Sequence, residues 1–203
     1  MLDDAALLRR IVAEAEVADA LRWLVDFDVE DADPAQAVTA RLSSGARLEM
    51  IACDGTGGRY FLVGAEGSSR SLLFANSEGG AGLLGPSLAT ALATLVALPH
   101  WHDLFKFSAG GDLGEMRRAH AHFVANRSED PDRAQAQELI IEVLGLERLD
   151  DPVLTLWRSA HAADPAGHFH DEEDEGGGPW DPLWSEWTVE RLTRTGAGRS
   201  GMP

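Results

Sequence analysis

The sequence has little cysteine, little positive charge and no long apolar run. Cys53 is the one cysteine in 203 residues, so an internal disulfide bond is impossible. No apolar stretch reaches the roughly 20 residues that a membrane helix needs. The chain opens on Asp3 and Asp4 rather than on the positive residues of a secretory signal. We therefore expect a cytoplasmic protein that does not bind membranes.

The charge is strongly one-sided. Lys and Arg together number 17 against 34 Asp and Glu, which gives a net charge of −17. Nucleic-acid binding depends on Lys and Arg that neutralise phosphates, so this balance predicts no nucleic-acid partner. An acidic surface accelerates the encounter with a basic protein, and it also keeps a protein in solution. Charge alone does not distinguish between these two explanations.

The usual motifs of covalent catalysis and phosphate binding are missing. Cys53 is next to Asp54, whose negative charge disfavours a thiolate, and no Gly-x-Ser-x-Gly sequence occurs. Gly55, Gly57 and Gly58 lie between two predicted strands and do not precede a helix. They predict a hairpin turn and not a phosphate-binding loop. We expect neither catalytic residues nor a cofactor.

Histidine spacing supplies the main enzymatic alternative. The histidines form three His-x-His pairs: His100 with His102, His120 with His122, and His168 with His170. Residues two apart share a face of a strand but not of a helix. The first two pairs fall in predicted helices, and their spacing predicts no chelation. His168 and His170 adjoin Asp171 and Glu172, so a metal-dependent enzyme that uses these histidines and carboxylates stays open as an alternative.

The hydrophobic pattern predicts an α+β fold in which helices pack on an antiparallel meander sheet. An amphipathic helix is expected at residues 5–24, and three short strands are expected at 47–52, 59–63 and 71–75, with glycine-rich turns between them. Further helices are expected at 87–98, 100–107 and 113–124, and two more begin at Asp130-Pro131 and Asp151-Pro152.

The composition divides the chain into three parts. Residues 1–161 form the predicted α+β domain, and residues 162–179 form an acidic, glycine-rich loop or linker. Residues 180–203 are predicted to be a helical C-terminal extension with a tail. Trp180, Trp184 and Trp187 are spaced to lie on one side of that helix, so we expect it to dock on the domain.

The middle of the chain resembles the SUKH superfamily, over roughly residues 38–125. The resemblance depends on an ordered series of features. Residues 51–58 end a strand and form the turn Asp-Gly-Thr-Gly-Gly, and a strand follows at 60–63. Another strand at 72–75, an acidic turn with Glu78, and an apolar helix at 88–98 come next. The segments 99–101 and 106–112 are similar to those of bacterial relatives.

The resemblance implies a function in protein binding. SUKH proteins are largely bacterial immunity proteins that bind and neutralise toxins, many of them nucleases, and eukaryotic members are cell-wall regulators that act as interaction hubs. Together with the charge, it predicts a non-catalytic protein-binding module that neutralises a basic toxin through an acidic surface. A structural or regulatory interaction hub remains the second alternative.

Candidate contact residues follow from this interpretation. Asp54 and Glu78 lie in predicted loops of the sheet, and Tyr60 and Trp101 are aromatic residues of the kinds that anchor interfaces. The alternative for each aromatic residue is that it packs in the core. The acidic segment adds a further set of candidate contacts: Asp171, Glu172, Glu173, Asp174 and Glu175.

Overall fold

The computed structural model describes residues 3–30, 32, 39–67, 69–126, 130–162, 168–171 and 178–184, and it confirms the α+β class. In chain order the elements are α1 (Asp4–Ala13), α2 (Ala15–Val25), β1 (Ala40–Leu42), β2 (Leu48–Cys53), β3 (Arg59–Val63), β4 (Ser71–Ala75), β5 (Gly80–Gly85), α3 (Leu88–Ala97), α4 (Trp101–Lys106), α5 (Leu113–Asn126), α6 (Pro131–Leu144), α7 (Pro152–Ala160), β6 (Phe169–Asp171) and β7 (Asp181–Pro182). None of the helices in these ranges is long and apolar enough to cross a membrane.

The core of the central sheet is an antiparallel meander, as predicted, and the sheet has two strands more than the three expected, β5 and β7. Strands β2, β3, β4 and β5 are neighbours in sequence order, and β7 joins β5 in parallel. β1 and β6 form a separate antiparallel pair. The additional strand β5 was not predicted, because its sequence Gly-Ala-Gly-Leu-Leu-Gly shows no alternation of polar and apolar residues.

The sheet is covered on both faces, and successive residues of a strand enter different apolar clusters. Tyr60 and Leu62 of β3 pack in the larger cluster, with residues of all seven helices α1–α7. Phe61 packs in the smaller cluster, which includes Leu42 of β1 and Phe169 of β6. Because both faces are buried, strands such as β3 and β4 are nearly continuous apolar runs.

The helix starts that the sequence predicts at Asp-Pro pairs are confirmed. The Asp151 Oδ1 atom accepts a hydrogen bond of 2.9 Å from the Leu154 N–H, and Asp130 caps α6 in the same way. Each cap is followed by a proline, which has no N–H to leave unsatisfied at the first turn.

The predicted N-terminal helix is two helices. α1 ends at Ala13 and α2 begins at Ala15, with Glu14 between them at φ −109° and ψ 85°. The break allows Leu7 of α1 and Leu21 of α2 to be buried in the same cluster. Apolar residues recur at helical spacing in both helices, so the sequence pattern did not predict the break between them.

The described part of the C-terminal extension, residues 180–184, docks on the domain as predicted, but the prediction that it is helical is wrong. Residues 181–182 form β7 instead of a helix, and residues 183–184 form a turn. β5 lies at an edge of the meander, where its backbone N–H and C=O groups can pair with another strand. The spacing of the tryptophans in the sequence does not reveal this edge. Similarly, residues 169–171 of the predicted linker form β6. Trp187 and the rest of the tail lie outside the described residues.

Candidate functional site

One end of the sheet gathers four carboxylates, which we call the acidic end: Asp26, Asp54, Glu78 and Asp103. Asp54 begins the β2–β3 turn and Glu78 lies in the β4–β5 turn. These turns touch, since a Cβ atom at Gly57 would lie 3.6 Å from the Ser77 Cβ atom. The backbones of Asp28 and Cys53 exchange two hydrogen bonds of 2.9 Å, which brings the segment after α2 to the same end.

Asp54 organises its turn. Its Oδ1 atom accepts hydrogen bonds from the Thr56 N–H at 2.8 Å, the Thr56 hydroxyl at 2.9 Å and the Gly58 N–H at 2.7 Å. A side chain at Gly58 would collide with Asp54 Oδ2 and with the Phe74 ring. Asp54 is only 8% exposed, so its prediction as an exposed contact residue is wrong. It contributes negative charge from just beneath the surface.

Asp26 occupies an unfavourable position for a negative charge. It caps the C-terminus of α2, where the helix dipole disfavours an anion, and its φ of 56° is a left-handed conformation that most residues avoid. Partial loss of surrounding water raises the pKa of the Asp26 carboxyl, although the residue as a whole is exposed, and the charge of Asp54 adds to the effect. No arginine within the described ranges forms an ion pair with Asp26.

His102 does not neutralise the acidic end. Its ring stacks on Trp101, with 3.5 Å between centroids, and contacts the Phe74 ring at 5.3 Å. Loss of surrounding water lowers the pKa of the His102 imidazole to about 4, although the charges of Asp54 and Asp103 act in the opposite direction. The residue keeps an exposed edge, so solvent moderates this shift. At neutral pH the ring carries no compensating charge.

The two aromatic anchors predicted from the sequence are wrong. Tyr60 is 0% and Trp101 is 1% exposed, so neither is available to a partner. The Tyr60 ring lies between Phe27, at 4.9 Å, and Phe74, at 4.7 Å. Burial, with the nearby charges of Asp54 and Asp26, raises the pKa of the Tyr60 phenol. These residues belong to the core because the inward face of β3 and the packed side of α4 carry them.

Among the residues that the structure describes, Trp23 and Phe107 are the large exposed aromatic residues, and sequence reasoning missed both. Trp23 is 54% exposed on α2, with the Arg133 guanidinium 5.9 Å from its ring. Phe107 is 52% exposed at the end of α4. Trp23 falls outside the apolar stripe of α2, and this position in the sequence could have indicated that its side chain is exposed.

Asp171 is a structural residue, and its prediction as a partner contact is wrong. It is 6% exposed. Its Oδ2 atom accepts a hydrogen bond of 2.6 Å from the Arg59 guanidinium, and its Oδ1 atom accepts one of 2.6 Å from the Thr39 hydroxyl. This ion pair joins β6 to β3. The remaining acidic candidates lie outside the described residues: Glu172, Glu173, Asp174 and Glu175.

Glu78 is exposed, as its predicted contact role requires. No ion pair within the described chain includes Glu78 or Asp103. At least eight arginines form ion pairs with carboxylates other than the four of the acidic end: Arg22, Arg47, Arg59, Arg70, Arg117, Arg118, Arg133 and Arg148.

The histidines do not form a recognisable metal centre. Within the described segments, no group of three or more His, Cys, Asp or Glu side chains is arranged to hold a metal ion. The pairs at 100/102 and 120/122 fall in or next to α4 and α5. The structure instead brings His100 and His120 together, with His100 Nε2 3.0 Å from His120 Nδ1. Of the residues in the metal-enzyme alternative, His168, His170 and Asp171 are described and belong to no such group, whereas Glu172 lies outside the described residues.

Comparison with known protein families, with curated proteins and with solved structures finds no match to this chain.

Proposed function

We propose that this chain is a non-catalytic protein-binding module that receives a basic partner at the acidic end. The proposal is carried by one observation: four carboxylates converge at the end of the sheet, and none forms an ion pair within the described residues. The SUKH resemblance supports a more specific form, in which the chain is a cytoplasmic immunity protein and its partner is a toxin of nuclease type.

The energetics of Asp26 and Asp54 support a cationic partner. Loss of surrounding water is the larger cause of the raised pKa of Asp26, and repulsion from the negative charge of Asp54 adds to it. A guanidinium or ammonium group from a partner would relieve this repulsion when it arrives. Because Asp26 and Glu78 are exposed, water screens their ion pairs with a partner, and each such pair contributes about 1 kcal/mol or less to the binding free energy. We therefore expect the acidic end to act chiefly on the rate of association.

The scaffold around the acidic end fits a binding surface. Asp54 holds its turn through three hydrogen bonds, and the turn packs on the buried Phe74. A turn fixed in this way presents its neighbours without a large loss of entropy on binding. A regulatory hub remains the alternative to an immunity protein. Inhibition of the captured partner's activity favours immunity, and an unaffected activity favours the hub.

The experiment compares two triple variants with equal changes of charge. One neutralises the acidic end: Asp26→Asn, Glu78→Gln and Asp103→Asn. The control neutralises exposed carboxylates on and after α6: Asp132→Asn, Glu142→Gln and Glu147→Gln. The partner is captured with the natural chain at low salt, identified and purified, and its affinity is measured with all three proteins.

We expect the acidic-end variant to bind about tenfold more weakly than the control at low salt, because three contributions of about 0.5 kcal/mol each are removed and tenfold corresponds to about 1.4 kcal/mol. Circular dichroism and thermal unfolding establish that both variants are folded. Equal affinities for the two variants would place the interface elsewhere and refute the proposal.

A further inference from the structure

Helix α2 carries an exposed aromatic residue within a row of carboxylates, which we call the α2 stripe: Glu16, Asp19, Trp23 and Asp26. Residues three and four positions apart lie on the same side of a helix, so the first three form a row, and Asp26 continues it at the C-cap. All four residues are exposed. Because Asp26 also belongs to the acidic end, the α2 stripe is continuous with the proposed surface for a basic partner.

The Trp23 ring is accessible to a ligand. Its residue is 54% exposed, and it is a member of neither apolar cluster of the described core. Relative to the rest of a protein surface, tryptophan is enriched at interfaces and at the few positions that dominate binding energy. A partner can therefore reach this ring without any rearrangement of the core.

Negative charge dominates the surroundings of Trp23. Residues 15–30 contain five carboxylates and a single cation, Arg22. Arg22 forms ion pairs with three of these carboxylates: Asp19, Asp28 and Glu30. Glu16 and Asp26 form no ion pair within the described part of the chain. A cationic group that approaches Trp23 therefore meets an excess of carboxylates along the α2 stripe.

One guanidinium already lies against the Trp23 ring. The Cζ atom of Arg133, from α6, is 5.9 Å from the ring centroid, which is within the range of a cation–π contact. Arg133 also forms an ion pair with Asp130, with 3.7 Å between Nε and Oδ2, which compensates its charge. Since Trp23 stays more than half exposed beside Arg133, the ring has surface left for a second cation.

We infer that Trp23 receives an arginine side chain of the basic partner, whose guanidinium stacks on the exposed ring and pairs with a carboxylate of the α2 stripe. A guanidinium suits this position better than an ammonium group, because it is planar, weakly hydrated and able to stack and to donate to a carboxylate at once. This inference rests on the proposed function and specifies the partner's chemistry: arginine rather than lysine at the aromatic contact.

Two short peptides of equal charge test the inference. One carries four arginines separated by glycines, and the other carries four lysines at the same positions. Their affinities for the chain are measured at low salt by titration of the ¹⁵N-labelled protein, in which the Trp23 indole N–H signal reports contact with the ring. We expect the arginine peptide to bind about threefold more tightly, because one cation–π contact is gained.

Two variants with matched exposure complete the test. Trp23→Ala identifies the indole signal by its loss and should abolish the preference for arginine. Phe107→Ala is the control, because Phe107 is 52% exposed and the Lys106 Nζ atom lies 5.8 Å from its ring. Lys106 forms no ion pair within the described residues, so its charge repels a cationic ligand at Phe107. This control should keep the preference, and circular dichroism establishes that both variants are folded.

The inference is overturned if neither peptide binds, if both bind equally tightly, or if Trp23→Ala keeps the preference for arginine. A preference that Phe107→Ala abolishes as fully as Trp23→Ala does would overturn it as well. The proposed function fails on a different result, equal affinities of the acidic-end and control triple variants for the purified partner. The two failures are therefore distinguishable.

Discussion

Replacement of Asp26 by Asn should stabilise the protein while it weakens binding of the partner. The substitution keeps the shape of the side chain and removes a negative charge from the C-terminus of α2, where the helix dipole disfavours it. It also removes repulsion from Asp54, and Asn is well tolerated at a positive φ such as 56°. Because Asp26 is exposed, screening reduces both electrostatic effects. We expect a gain of about 0.5–1 kcal/mol at pH 7.

The pH dependence of this gain follows from the raised pKa of Asp26. The Asp26 carboxyl holds its proton more tightly in the folded protein than in the unfolded chain, where its pKa is near 3.8. Stability from this group is therefore present at low pH and is lost as the pH rises through the folded pKa. The advantage of Asp26→Asn should be full at pH 7 and should vanish below the unfolded pKa, where aspartic acid is itself neutral.

Urea denaturation of both proteins at pH 7 and near pH 3 measures this difference. For a chain of 203 residues, 1 kcal/mol corresponds to about 2–4 °C in the midpoint of thermal unfolding. Asp132→Asn is the matched control, because Asp132 lies in the first turn of α6, where a negative charge is favourable. That control should lose a few tenths of a kcal/mol. A destabilised Asp26→Asn protein at pH 7 would refute the electrostatic reasoning.

Three further predictions concern Asp171, Tyr60 and His102. Asp171→Ala should destabilise the protein by about 3 kcal/mol, because it removes the ion pair of the Arg59 guanidinium with Asp171. Urea denaturation measures this loss, and a value well below about 1 kcal/mol would contradict the prediction. Tyr60→Phe should leave partner binding unchanged and stability equal or up to about 1 kcal/mol higher, because the hydroxyl has no partner in the described structure. The folded pKa of His102, about 4, lies below the ordinary 6.5, so its contribution to stability is lost as the pH falls between these values. His102→Gln should flatten that part of the stability profile, and an unchanged profile would exclude the assignment.

Local patterns in the sequence were sufficient for much of the fold. Strands β2–β4 were predicted because turns rich in glycine separate apolar runs. The starts of α6 and α7 were predicted because Asp130 and Asp151 each precede a proline. Each of these features depends on interactions within a few residues, which a single sequence displays directly.

The parts that failed depend on contacts between distant segments. β6 pairs with β1 across about 130 positions, and β7 pairs with β5 across about 100. Spacing within residues 169–184 carries no information about those partners.

The candidate site was only partly predictable for the same reason. Glu78 was identified as an exposed acidic residue in a turn. Asp26 was missed, because its position at a helix C-terminus beside Asp54 exists only after folding. Tyr60 and Trp101 were misassigned because composition favours them at interfaces, and only packing shows that they are internal.

The association rate of the purified partner, measured by stopped flow over a range of salt concentrations, tests the central claim most directly. Electrostatic steering predicts that the rate falls as salt screens the acidic end. It also predicts that neutralising Asp26, Glu78 and Asp103 lowers the rate at low salt and reduces its salt dependence more than the control triple variant does. Identical rates and identical salt dependence for the two variants would contradict the account.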